Sequence, residues 1–333
     1  MCTSNHSGPG RQGPNTGPHR SFALFSANDG THGWELWATD TDGTTSGTRM
    51  VKDINPGGHD SVSDEIVALG NGTAVFAAWD FSRGIELWAM NGTASGTTAV
   101  KRINPDMGAE LPRLESTGDG RALFWGKDSP AQHWYEHRIV QPWITDGTSA
   151  GTHVIKENAP ELKYPFNPKA EGSGENGRAV FVADDGTHGY EPWVSDGTSA
   201  GTHMVVDLRP GTAGSEPMGF VSNGSGKTMF SADDGVHGRG AWVTDGTAAG
   251  TCMLKDMSSG ENVHALGWDF DSVAIGGGLV LFNAADPAGH RSPWITDGTS
   301  VGTHLLRHFV PGSDGAESGN YAAAPSPAPG ASH

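Results

Sequence analysis

The chain has 333 residues and a formal net charge of −17, and its 50 glycines with sparse charged residues suit an all-β protein rich in tight turns. The acidic balance excludes nucleic acid as a natural partner and favours cations or basic ligands. No apolar run approaches the length of a membrane span, and only two cysteines, Cys2 and Cys252, occur, which excludes a disulfide framework.

Taken from its start, the chain opens on a polar Gly/Pro/Ser/Asn stretch. Cys2 directly after Met1, followed by Thr3 to Arg20, resembles a mature bacterial lipoprotein whose signal was replaced by Met. That resemblance implies an extracytoplasmic protein, secreted or lipid-anchored. A cytoplasmic chain with an incidental cysteine is the alternative. Residues 1–20 and the Ala/Pro/Ser tail 322–333 cannot bury a core and are expected to be disordered. One large domain is expected over 21–321.

Within that domain a tryptophan-centred block returns six times. It reads Glu35-Leu36-Trp37 … Asp42-Gly43-Thr44 … Gly47-Thr48, then Glu86-Leu87-Trp88 … Asn91-Gly92-Thr93 … Gly96-Thr97, and recurs around Trp143, Trp193, Trp242 and Trp294. The tryptophans are 51, 55, 50, 49 and 52 residues apart. A period near fifty built of strand-like pieces predicts a radial or stacked array.

The fourth repeat shows the pieces best. Arg178–Ala183 and Tyr190–Ser195 flank a turn at 184–189, and Asp196-Gly197-Thr198 leads into an outer run, Thr202–Leu208. Arg209-Pro210-Gly211 then links to an inner run, Glu216–Val221. Asp-Gly is a strong hairpin signal, because Gly takes the positive-φ position without penalty. Four antiparallel strands, six times over, predict a six-bladed β-propeller with each Trp packed between neighbouring blades. Blade one lacks an inner run before Phe22. The segment 313–322 is expected to supply it, closing the ring and removing exposed edges.

The blocks resemble the ELWxxDGT repeat of bacterial, mostly exported or surface-associated proteins, over roughly residues 21–312. The Asp-Gly-Thr turn is also similar in placement to the Asp-box of sialidase-type propellers. No general activity attaches to the repeat family. Departures from it, Pro142, Pro192, Pro293 and Ala241 in place of Leu, are expected at exposed strand positions more than in the core.

Three sets of residues are candidates for chemistry. An acidic residue is expected at the start of each inner strand: Glu65 (or Asp64), Glu110, Glu161, Glu216, Glu261 and, through the closing segment, Glu317. Carboxylates ringing a channel mouth about 7 Å apart, near one Debye length, call for a bound cation. Oxygen ligands of this kind fit Ca²⁺ better than a soft ion; the bland reading leaves them in solvent. Asp29/His32, Asp185/His188 and Asp234/His237, with Asp80, Asp286 and His290 as partial matches, repeat in the turn between second and third strands. They read as Asp-capped structural turns first and as metal or proton-transfer sites second. His153, His203, Cys252 and His304 share one position that begins the outermost strand, roughly 20 Å from the axis, too far apart to share a zinc ion.

No nucleophile elbow, zinc-protease motif or phosphate loop occurs. The third repeat departs most, with His133, Trp134, Tyr135 and His137 and, further on, Tyr164. The segment holding His264 and Trp268 is the other irregular stretch. Trp134, Tyr135, Tyr164 and Trp268 are therefore the aromatic ligand-binding candidates; His133, His137 and His264 are the acid–base candidates. The expectation is a monomeric binding module, dependent on a cation, that takes a small-molecule, saccharide, peptide or protein ligand at the channel mouth. The alternative is a propeller enzyme there, a metal-dependent hydrolase or lactonase or a small-molecule lyase or cyclase.

Overall fold

A computed structural model describes residues 22–40, 44–82, 84–103, 114–126, 141–155, 173–255, 272–285 and 291–307. The ends expected to be disordered, the closing segment expected at 313–322 and the irregular residues 127–140 of the third repeat fall outside these residues. The chain divides into two compact units, Met1–Glu157 and Asn158–His333.

The first unit holds three antiparallel sheets. Sheet one is β1 (Phe22–Asn28), β2 (Trp34–Asp40) and β3 (Thr48–Lys52), the last preceded by a 3₁₀ turn at Thr45–Gly47. Sheet two is β4 (Val62–Ala68), β5 (Ala74–Asp80), β6 (Gly84–Met90) and β7 (Thr98–Lys101). Sheet three is β8 (Leu114–Ser116), β9 (Ala122–Gly126), β10 (Gln141–Thr145) and β11 (His153–Val154).

The second unit holds three more. Sheet four is β12 (Ser173–Glu175), β13 (Arg178–Asp184), β14 (Tyr190–Ser195) and β15 (His203–Met204). Sheet five is β16 (Met218–Ser222), β17 (Thr228–Asp233), β18 (Arg239–Thr244) and β19 (Cys252–Lys255). Sheet six is β20 (Ser272–Gly276), β21 (Leu279–Ala285), β22 (Arg291–Thr296) and β23 (His304–Leu305). Strands pair in chain order in every sheet. First strands of neighbouring sheets touch, β4 with β8 in one unit and β12 with β16 and β16 with β20 in the other, so they are the inner strands.

One pair recurs in all six sheets. A Phe faces the Trp of the strand that follows it, on first and second strands in three-stranded sheet one and on second and third strands in the others: Phe25 and Trp37, Phe76 and Trp88, Phe124 and Trp143, Phe181 and Trp193, Phe230 and Trp242, Phe282 and Trp294. The aromatic rings of Phe124 and Trp143 stack with centroids 6.0 Å apart. Trp88, Trp143, Trp242 and Trp294 then share a hydrophobic cluster with the preceding sheet of their unit, as Trp88 does with Leu36, Val51 and Ile54, and Trp294 with Ala241 and Leu254. Burial of one such side chain is worth roughly 1.5–3 kcal/mol, so these seams hold the sheets of each unit together.

The position before each Trp corrects a sequence expectation. Leu36, Leu87 and Ala241 are fully buried, Pro142 and Pro192 are buried too, and Pro293 is half-buried. Strands β10, β14 and β18 are buried on both faces, so their residues do not alternate in and out, whereas those of β22 do. Proline is tolerated because the two-residue fourth strands β11 and β15 stop short of it and ask no N–H of it: Pro142 and Pro192 serve as acceptors, taking the N–H of Ile155 and of Val205 at 2.8 Å.

Candidate functional site

At the end of each sheet that carries the turn between second and third strands, side chains bind the backbone of the loop arriving from the fourth strand. Glu191 is the second residue of β14 and is fully buried. It accepts from the Leu208 N–H at 3.1 Å, the Arg209 N–H at 3.2 Å, and the N–H and hydroxyl of Ser215 at 2.8 and 2.6 Å. Burial pushes its carboxyl up against the pull of these donors. Glu35 repeats the arrangement, accepting from the Ile54 N–H at 3.2 Å and from the Ser61 hydroxyl. Glu86 accepts from Ile103 at 2.9 Å. The motif glutamate is thus an internal staple for the inter-sheet loop, a role the sequence reading missed.

The neighbouring Asp–His turns are real. Nδ1 of His32, His188 and His237 lies 2.7, 2.8 and 2.7 Å from Oδ2 of Asp29, Asp185 and Asp234, while each Oδ1 accepts two backbone N–H groups of its own turn. The His32 bond holds Asp29 at about 2. Asp29 and Asp185 in return raise His32 and His188 above the ordinary imidazole value.

Of the acidic set, Glu65 lies within β4, and Glu110, Glu161, Glu261 and Glu317 lie outside the described residues. Glu216 precedes β16 rather than opening it, with φ +49°, a left-handed conformation uncommon for a residue with a side chain. Its carboxylate is half-exposed and sits 3.6 Å from the guanidinium of buried Arg239, which also donates to the Glu216 carbonyl at 2.9 Å. Among the described residues no group of three or more His, Cys, Asp or Glu is placed to hold a metal ion. His153, His203, Cys252 and His304 begin β11, β15, β19 and β23, the fourth strands of their sheets, as expected. The candidates His133, His137, His264, Trp134, Tyr135, Tyr164 and Trp268 lie outside the described residues.

The repeat is broken most visibly where sheet two meets the loop from sheet one. In register with Asp184-Asp185-Gly186-Thr187-His188-Gly189, the second repeat has Trp79-Asp80-Phe81-Ser82-Arg83-Gly84. In register with Ala213-Gly214-Ser215 it has His59-Asp60-Ser61. Two aromatic rings and an imidazole therefore replace small or acidic residues, and the structure brings them together. Phe81 lies 5.7 Å from Trp79, edge to face at 68°, and 6.2 Å from His59 at a tilt of 43°. Backbone bonds fix the corner: Ser61 donates to the Trp34 carbonyl at 3.0 Å, and Trp79 donates to the Ser61 carbonyl at 2.6 Å. Asp60 accepts the Trp34 N–H at 2.8 Å, and Asp80 accepts from the N–H and hydroxyl of Ser82. Phe81 is 65% and Trp34 48% exposed, an unusual display for large aromatic side chains. The signal was present in the sequence as a register-by-register departure, masked because Asp80 fits the turn pattern.

The opposite sheet ends carry the Asp-Gly-Thr turns, which are closed structural units. Asp146 accepts from the N–H and hydroxyl of Thr148, Thr148 accepts from Gly151, and the hydroxyls of Thr145 and Thr152 meet at 2.7 Å. A cleft of about 290 Å³ between sheets four and five opens beside them, with Arg178 and Asp245 on its walls.

No family model matches the sequence, and no curated protein does. Solved structures resemble the fold. Oligopeptidase B from Leishmania major matches over 85% of this chain and 39% of its own, at 12% identity and TM-score 0.51. TolB from Acinetobacter baumannii matches over 84% and 61%, at 12% identity and TM-score 0.41. The chain carries a β-propeller fold. Its six sheets are the blades of that propeller, and the aromatic corner lies on the loops between blades one and two. In the propeller, Glu35, Glu86 and Glu191 tie outer strands to the next blade's inner strand. At this identity the likeness speaks for the fold alone.

Proposed function

We propose that the propeller is an extracytoplasmic binding module, and that it binds through side chains grafted on the blade framework rather than through the framework itself. The observation that carries this reading is the exposed corner of His59, Trp79 and Phe81 beside Trp34, built where the second repeat departs from the others. The repeated titratable groups, by contrast, serve the fold: Glu191 has four internal donors, and the Asp–His pairs brace their own turns. Cation dependence through the acidic inner-strand residues belongs to the same proposal, with Ca²⁺ as the ion its oxygen ligands favour.

A second reading, an enzyme at the channel mouth, draws on Glu216. A carboxylate held at positive φ beside a buried guanidinium has the strained geometry that collects at reactive sites. Glycan, peptide and lipid arrays probed with the full chain, in Ca²⁺ and in chelator, separate the two. Defined spots that fade in chelator support the module; blank arrays together with turnover of lactone or ester substrates overturn it in favour of the enzyme.

A further inference from the structure

We infer that the corner formed by His59, Trp79 and Phe81 is a binding site for a quaternary ammonium group. The inference rests on the binding-module reading and names the ligand chemistry of that site.

Three observations converge. The first is ring geometry. Phe81 stands at 68° to Trp79 and at 43° to His59, with centroids 5.7 and 6.2 Å away. Rings at such angles make walls of a niche, not the flat shelf on which a sugar face stacks. Several π-faces converging on one small volume are the arrangement that attracts an alkylated cation, which is poorly hydrated and presents C–H groups carrying partial positive charge on every side.

The second is charge. Asp60 and Asp80 adjoin the niche in sequence and are anchored by the Trp34 N–H and by Ser82. They leave negative charge at the niche, in a chain whose formal net charge is −17. Anions are disfavoured there, and a neutral ligand gains from the carboxylates only through the hydrogen bonds it can donate. A cation gains from both the rings and the acids.

The third is the repeat itself. At the positions of Trp79, Phe81, His59 and Asp60, the corner between sheets four and five has Asp233, Gly235, Ala213 and Gly214, and the same backbone bond closes it, from the Asp233 N–H to the Ser215 carbonyl at 2.9 Å. The backbone therefore needs neither the rings nor the extra acid. Gly235 adopts φ +76° at this point, the region glycine favours, whereas Phe81 is not among the positive-φ residues, so the second repeat has re-formed its turn to carry a side chain there. A function that needs a ring at that point accounts for the exchange; packing does not, because the ring is exposed.

The test uses the repeat's own residue as the control. Calorimetric titration of the full chain with choline should give saturable binding, at least tenfold tighter than 3,3-dimethylbutan-1-ol, its neutral isostere. Phe81→Gly, which restores the residue of the fourth and fifth repeats, should weaken choline at least tenfold with the melting temperature held, and Asp60→Asn should weaken it less. Phosphatidylcholine vesicles in a cosedimentation arm distinguish a lipid headgroup from the free cation. Equal binding of choline and its isostere overturns the inference, as does choline binding indifferent to Phe81→Gly. Binding of methyl glucoside that is lost in Phe81→Gly replaces the cation with a saccharide and leaves the module reading intact. Array binding that survives Phe81→Gly, with choline silent, sinks this site alone; silence in every arm sinks both.

Discussion

Ser215 donates twice to Glu191, from its backbone N–H at 2.8 Å and its hydroxyl at 2.6 Å, across 24 positions of chain. With Leu208 and Arg209 it makes the carboxylate the common acceptor of a whole inter-sheet loop. Removing that acceptor leaves buried donors without partners. Glu191→Ala is expected to cost about 3 kcal/mol, a fall of roughly 6–12 °C in melting temperature. Glu191→Gln should be nearly as damaging, because its amide would face donors with donors. Burial raises this carboxyl, so the fold favours its protonated form: that contribution is present below pH 4.5 and is lost as pH rises through the raised value. A wild-type melting profile that gains nothing relative to Glu191→Gln on acidification from neutrality would contradict this.

The Asp185–His188 pair titrates in the opposite region. The hydrogen bond that His188 donates to Asp185 raises the imidazole above 6.5, so its contribution is present below that pH and fades as pH rises through the folded value. The pair lies at the surface, where such contacts add little to global stability. Proton NMR of the His188 ring is the proper readout. Its midpoint should lie above 6.5 in the wild type and drop in Asp185→Asn; coincident midpoints would mean the pair does not persist in solution.

These two contacts mark what could be read from the sequence and what could not. The Asp–His and Asp-Gly-Thr turns were legible because donor and acceptor are two or three residues apart. The glutamate staple was not, since Glu191 meets partners 17 to 24 positions away that only the sheet brings near. The buried Pro142 and Pro192 were misplaced by assuming that strands alternate, whereas β10 and β14 are buried on both faces. Glu216 was read as the start of an inner strand, but Met218 opens it. Counting Asp80 as a turn match concealed the more telling replacement of Gly by Phe81 beside it.

Glycine in the Asp-Gly-Thr block is fixed by contact, not by conformation alone. A Cβ on Gly250 would fall 2.1 Å from the Asp245 carboxyl group. Gly250→Ala is expected to cost about 2 kcal/mol through this overlap. Combined with Asp245→Ala, which removes the opposing carboxylate, the glycine substitution should cost much less, giving a favourable coupling energy in a double-mutant cycle. Asp245→Asn should be mild, because Asn91 already fills this place in the second repeat and accepts from Thr93 in the same way. Strictly additive losses would show that the turn relaxes away from the clash.

Within each unit the sheets are joined by a lysine as well as by tryptophan. Lys101, at the end of β7, lies 5.7 Å from the centroid of Trp143 and donates to the Thr152 carbonyl at 2.8 Å, both on the next sheet. Lys52 does the same with Trp88 at 5.4 Å and Thr97 at 2.8 Å, and Lys255 lies 5.0 Å from Trp294. The ammonium thus satisfies a carbonyl in the Gly-Thr block while its charge faces a π-surface, and its alkyl stem covers apolar seam. Lys101→Met keeps the stem and removes the charge, so it isolates the polar part, expected at about 1–2 kcal/mol. Lys101→Ala loses the stem as well and should cost more. If methionine proves as stable as lysine, the seam is held by apolar contact alone and the ammonium is a passenger.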